Sequence, residues 1–198
     1  YGEVLMSCTV QECLERCREM IDWDEKYPCK DMGNGKVRAV GVGVSMQGSG
    51  ISGVDVGSVT IRVSDEGHYN LMIGAADMGT GCDTTLAQIA ADCLDCDVDD
   101  IIVYGVDTDI SPYDSGSYAS STLYVTGNAV IKACDKLKKK ICSIGARILN
   151  VEETSVDFDG IAVFVRDDET KRISLKDIST ANMCGCEIDL EAGASHSS

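Results

Sequence analysis

The chain has 198 residues, 33 of them acidic and 17 basic, for a net charge of −16. A surface this acidic repels phosphate backbones, which excludes nucleic acid as a partner. No run approaches the roughly 18 apolar residues of a membrane span, and no leader order opens the chain. Apolar residues make up 44% of the sequence, enough for a packed core and too many for disorder. Eleven cysteines, an odd number without a secretory leader, point to free thiols in a reducing cytoplasm and not to a disulfide scaffold. Tyr1 stands where a Met would open a gene product, which predicts a start further upstream.

The first predicted element is a helix. Thr9-Val10-Gln11-Glu12 has the order of a capping box, and Val10, Cys13, Leu14, Cys17, Met20 and Ile21 fall on one face of a 3.6-residue period. Residues 22–36 read as a polar linker. Val40, Val42, Val44 and Met46 alternate with small residues, predicting a strand from Val37 to Met46. Gly48-Ser49-Gly50-Ile51-Ser52-Gly53 has dinucleotide-site spacing, but a strand follows it instead of a helix, so the dinucleotide reading is rejected. Strands at Ser58–Ser64 and Tyr69–Ile73 flank the turn Asp65-Glu66-Gly67 and form a hairpin.

A helix starting near Asp83 carries Leu86, Ile89, Ala90, Cys93 and Leu94 as its stripe. Ile101 to Val106 reads as a buried strand. A polar loop over 107–118 precedes a long helix with Val130, Cys134, Leu137, Ile141, Ile144 and Ile148 inward, which Gly145 is expected to break. Asp159-Gly160 joins two further strands, and Ser174 to Asn182 forms a short helix. The segment beyond Glu191 is small and polar. There is no internal repeat, and the element order predicts a layered α/β or α+β fold with a mixed sheet.

Few residues suggest acid–base or nucleophilic machinery. Cys93-x-x-Cys96 and Cys184-x-Cys186 are unequal pairs, short of the matched spacings of a zinc site, and His68 and His196 have no partner at ligand spacing. Two other segments stand out. Met78-Gly79-Thr80-Gly81 closes a strand and opens a helix, a place where bare N–H groups suit a polar or anionic ligand. Asp114 to Thr122 gathers hydroxyls and small residues, a lining suited to a large flat polar cofactor. Ordinary turn and cap chemistry accounts for either segment taken alone.

Taken together and in order, the blocks are more specific. Met78-Gly79-Thr80-Gly81, Thr85, Gln88-Ile89-Ala90-Ala91, Asp107-Thr108-Asp109, Pro112, Gly116, Ala119-Ser120 and Gly127-Asn128-Ala129-Val130 resemble the molybdenum-cofactor-binding subunit of the xanthine dehydrogenase / aldehyde oxidase family. The resemblance implies an α+β fold: a two-layer mixed β-sheet with helices packed on one face. It divides the chain into an N-terminal helix and linker (1–36) and a partial molybdopterin-binding domain (37–198). It places Gly79, Thr80, Gly81, Tyr118, Ala119, Ser120 and Thr122 against the cofactor. The sequence departs from the family pattern at Thr80, where Gln is usual, at Ser121, where bacterial relatives often carry Arg, and at Leu123, where many carry Thr. The family's catalytic Glu belongs to a Gly-x-Gly-Glu segment that is missing here, so no catalytic residue and no direct metal ligand are assigned to this chain.

The implied cofactor is molybdenum–molybdopterin, with the cytosine dinucleotide as one candidate form, and 2Fe-2S clusters and FAD on partner subunits or domains. The implied partners are the remainder of the molybdenum subunit, an iron–sulfur subunit, a FAD subunit and a small-molecule substrate. The implied activity of the intact complex is hydroxylation of an N-heterocycle or an aldehyde, with this piece inactive alone. Two alternatives stand beside it: a cofactor-free structural or binding domain of the same fold, and a cysteine-dependent metal module.

Overall fold

A computed structural model describes residues 6–45, 53–117, 120–183 and 189–198. The chain divides into two compact units, Tyr1–Met46 and Gln47–Ser198.

The first unit holds α1 (Val10–Met20), α2 (Trp23–Lys26), β1 (Cys29–Asp31) and β2 (Val37–Ala39). Helix α1 has the predicted period, but Thr9 makes no side-chain capping bond and none of the helix's residues is buried. Cys13 and Cys17 are therefore exposed thiols on an apolar stripe, not core side chains. The stretch expected to be a linker is ordered. Trp23 stacks on Tyr27 at 5.0 Å, and β1 pairs antiparallel with β2, from Cys29 opposite Ala39 to Asp31 opposite Val37. The strand expected to reach Met46 stops at Ala39. The ladder runs out there because Pro28, just before β1, has no N–H to extend it.

The second unit is built on β3 (Val56–Val63), β4 (Tyr69–Ile73), β5 (Ile101–Gly105) and β9 (Glu191–Ser197), in the spatial order β5-β4-β3-β9. β3 pairs antiparallel with β4 and β9, while β4 and β5 are parallel, so the sheet is mixed. Alternation turns Val59, Ile61 and Val63 inward. Against them lie α3 (Cys82–Leu94) and α4 (Thr122–Leu149). Leu86, Ala90 and Leu94 of α3 and Val130, Cys134, Leu137, Ile141 and Ile144 of α4 are buried, as their period predicts.

Three expectations fail. Ile148 is 37% exposed. Gly145 does not break α4, which runs unbroken for 28 residues. A Cβ at Gly145 would sit 2.7 Å from Val163 Cβ, so the glycine is there to let a strand approach. β5 is an edge strand, and its outward side chains Ile102 and Tyr104 are 46% and 40% exposed. Only its other face meets the helices, which is why it reads as buried and is half so.

A second sheet, β6 (Val156–Phe158), β7 (Ala162–Val165) and β8 (Asp168–Ser174), is antiparallel and leads into α5 (Leu175–Met183). The small polar C-terminal segment is strand β9, ordered by its pairing with β3. Along the edge of β9, Lys136 and Lys140 of α4 donate to the Gly193 and Glu191 carbonyls at 2.9 and 2.6 Å, and Lys132 lies 2.9 Å from His196 Nδ1. The architecture is α+β, as the resemblance implied.

Candidate functional site

The site follows from the parallel pairing of β4 and β5. Parallel neighbours put their C-terminal ends side by side, and the loops leaving those ends must share one rim of the sheet. From β4 comes the loop 74–81, which opens α3; from β5 comes the loop 106–121, which opens α4. These are the two segments singled out in the sequence, and the fold brings them together.

Close approach and hydrogen bonds hold the loops in contact. A Cβ on Gly74 would stand 2.7 Å from Asp114 Cβ and closer still to the Pro112 carbonyl oxygen. Ser117 Oγ donates to the Ala76 carbonyl at 3.3 Å. The second loop is also tied to the start of β3: Val56 N donates to Ser115 Oγ at 3.0 Å, and Ser115 N donates to the Val56 carbonyl at 3.1 Å. At its β5 end, Asp107 N donates to Ser111 Oγ, and Asp109 N to Asp107 Oδ1, both at 3.0 Å, so the Asp107-Thr108-Asp109 block builds a turn.

Between the loops lies an open cleft of about 390 Å³. Thr80, Thr85, Ser117, Ser120 and Thr122 line it with hydroxyls, and Met78, Cys82 and Leu123 give it apolar and thiol surface. Of the predicted site residues, Thr80, Ser120 and Thr122 line this cleft. Gly79 and Gly81 flank Thr80 in the chain, while Tyr118 and Ala119 lie outside the described residues. Ser120 holds a left-handed backbone (φ 58°), an uncommon state for a non-glycine residue, of the kind that concentrates at functional sites. Leu123, Ser117, Cys82 and Thr85 were not assigned to the site from the sequence. Thr85 was quoted only as part of a pattern, and its hydroxyl donates to the Gly81 carbonyl at 2.6 Å.

The amides of the Gly79–Gly81 turn are not bare. Gly79 N and Gly81 N both donate to Oδ1 of Asp77, at 2.8 and 3.1 Å. These bonds hold the Asp77 carboxyl below the usual carboxylate range. Sequence reasoning missed Asp77, although an Asp two residues before a glycine is a readable sign of a side chain folding back on its own backbone. Both glycines have positive φ, 102° and 75°, the conformation the turn requires.

The donor set fits a flat heterocycle with an uncharged polar edge. Hydroxyls both give and accept hydrogen bonds, and the apolar surface between them suits ring faces. No Lys or Arg is among the residues lining the cleft, so it offers an anion no cationic side chain.

Among the described residues, one group of possible cation ligands occurs: the nearest donor atoms of Asp77, Cys82 and Asp83 lie within 4.8 Å of one another. Asp77 Oδ1 is committed to two amides, however, and burial followed by the charges of Asp83 and Asp77 raises the Cys82 thiol, keeping it protonated. The Cys93-x-x-Cys96 pair is half-buried, and burial pushes the Cys96 thiol up to about 12. Burial and the neighbouring acids thus favour the protonated thiol at both places. Cys184 and Cys186 lie outside the described residues.

Known proteins similar to this chain point to one family. The sequence profile of the molybdopterin cofactor-binding domain matches residues 16–198. The chain is 38% identical over 144 residues to "Probable hypoxanthine oxidase XdhD" of Escherichia coli (strain K12), covering 72% of this chain and 15% of that protein. It is 30% identical over 183 residues to the xanthine dehydrogenase molybdenum-binding subunit of Escherichia coli O157:H7, covering 90% and 24%. Among solved structures, reconstituted CO dehydrogenase from Oligotropha carboxidovorans superposes with a TM-score of 0.63 at 29% identity, over 71% of this chain and 18% of that one. The chain thus spans less than a quarter of the length of each. Its ordered blocks, its mixed sheet with two loops meeting at one rim, and the profile match agree: the chain belongs to the molybdopterin cofactor-binding domain family.

Proposed function

We propose that the cleft between Met78–Thr85 and Ser117–Leu123 is part of the cradle for the pterin of a molybdenum hydroxylase. In the assembled enzyme it serves the hydroxylation of an N-heterocycle or an aldehyde. The observation that carries this reading is the meeting of Thr80 with Ser117, Ser120 and Thr122 in one cleft, from loops about forty residues apart in sequence. Gly79, Gly81, Tyr118 and Ala119 belong to the same proposed cradle through their place in these two loops.

The residues present fit the cofactor's heterocycle. Thr80, Ser117, Ser120 and Thr122 would hold its polar edges, and Met78 and Leu123 would cover its faces. When bound, the cofactor supplies the redox chemistry of a metal centre, which side chains alone cannot. This chain's share is binding and orientation: it holds the heterocycle in one pose so that the reacting centre meets substrate without a search.

The relatives are named as oxidases, dehydrogenase subunits and large chains, which supports a multi-subunit enzyme. Iron–sulfur and FAD subunits, and the cytosine dinucleotide form of the cofactor, are part of this proposal. A cytoplasmic setting is too; the free state of all nine described cysteines supports it. No helix among the described residues is long and apolar enough to cross a membrane. The match to a cofactor-binding family does not favour the cofactor-free alternative.

The test is Thr80→Phe in the complete enzyme, with molybdenum and pterin content as readout. The bulky ring fills the cleft from an exposed turn, so most of the bound cofactor is lost while the far-UV circular dichroism stays that of the wild type. Unchanged cofactor content would refute the assignment.

A further inference from the structure

A turn with two left-handed glycines at the mouth of a helix ordinarily offers its amides to an anion. Here both amides that flank Thr80 are already taken by one oxygen, Oδ1 of Asp77, at 2.8 and 3.1 Å. Asp77 is not among the residues lining the cleft, whereas Met78 and Thr80 are. The turn therefore shows the cleft side chains. Two carboxylates, Asp77 and Asp83, stand at the helix mouth, and no Lys or Arg lines the cleft to offset them. An anionic group brought there would meet repulsion.

We infer that Asp77 is a positioning residue for cofactor binding: by engaging the amides of Gly79 and Gly81 it holds the turn in the form that sets Thr80 on the cleft. The inference rests on the cofactor reading above and adds the group that keeps Thr80 in place. Both bonds go to a single oxygen, so an amide oxygen at the same place can still accept them, while a methyl group cannot.

The experiment uses the complete enzyme in four forms: wild type, Asp77→Asn, Asp77→Ala and Thr80→Val. Molybdenum and pterin content and the hydrogen exchange of the Gly79 and Gly81 amides are measured together. Asp77→Ala is expected to speed exchange at both amides by about tenfold or more and to lower cofactor content. Asp77→Asn keeps the acceptor and restores most of the content and protection. Thr80→Val lowers content while both amides stay protected. A purely structural role for Asp77 would instead speed exchange at core amides such as those of Leu86 and Leu137, which Asp77→Ala is expected to leave protected.

Wild-type content in Asp77→Ala, or content as low in Asp77→Asn as in Asp77→Ala, overturns the inference and leaves the cofactor reading standing. A wild-type complex without molybdenum or pterin overturns the cofactor reading, and this inference with it.

Discussion

At the scale of single residues, the most consequential side chain is one that does not itself line the cleft, Asp77. The Asp77 carboxylate is stabilised by the amides it accepts from, which lowers its proton affinity in the folded chain. A depressed carboxyl contributes its stabilisation above the unfolded-state value of about 3.9 and loses it as pH falls through the lower folded value. The Gly79 and Gly81 amide resonances should therefore keep their bonded shifts down through pH 4 and move together below it. Movement with a midpoint at or above the ordinary carboxylate value would show that the bonds are weak in solution. Ser120 and Val106 mark the same region in a different way. Both are non-glycine residues at positive φ (58° and 52°), one in the cleft and one at the end of β5 where the second loop leaves the sheet. Such conformations persist only where surrounding contacts impose them.

At the scale of elements, packing decides between readings that local pattern leaves equal. Gly145 looks like a helix breaker in the sequence, yet its place is set by Val163 of β7. Gly145→Ala should raise helix propensity by about 1 kcal/mol but push a methyl into Val163, for a net loss of about 1–3 kcal/mol. Thermal or urea unfolding of the second unit measures it, and a gain in stability would show that β7 yields. The same contrast separates what the sequence reveals from what it hides. Strand β3, helix α3 and the buried stripe of α4 were legible because their periods repeat over several turns or pairs. Strand β9 was not, since Glu-Ala-Gly-Ala-Ser-His-Ser has only Ala192 and Ala194 to turn to the core, and pairing with β3 makes it a strand. The cleft itself was half legible. Both loops could be named from their small and hydroxylated residues, and the fold-back of Asp77 is written in its spacing, but the bonds of Ser115 and Ser117 reach partners that no spacing reveals.

At the scale of the molecule, the two units differ in how far they are buried. The first has a helix with no buried residue and carries the exposed thiols Cys8, Cys13, Cys17 and Cys29, while Cys134 and Cys82 lie buried in the second. A thiol reagent followed by peptide mapping should modify those four within the time that leaves Cys134 untouched until denaturant is added. Early modification of Cys134 would mean that the second unit opens readily. The lysines along β9 have a consequence for how copies of this chain meet. Sheets that stack edge to edge into long assemblies need two free edges on every copy. Lys136 and Lys140 occupy carbonyls on one edge with ammonium groups. Strand-to-strand growth is thus left with β5 alone among the described edges of this sheet, and a chain of copies that can be joined on only one side stops at two.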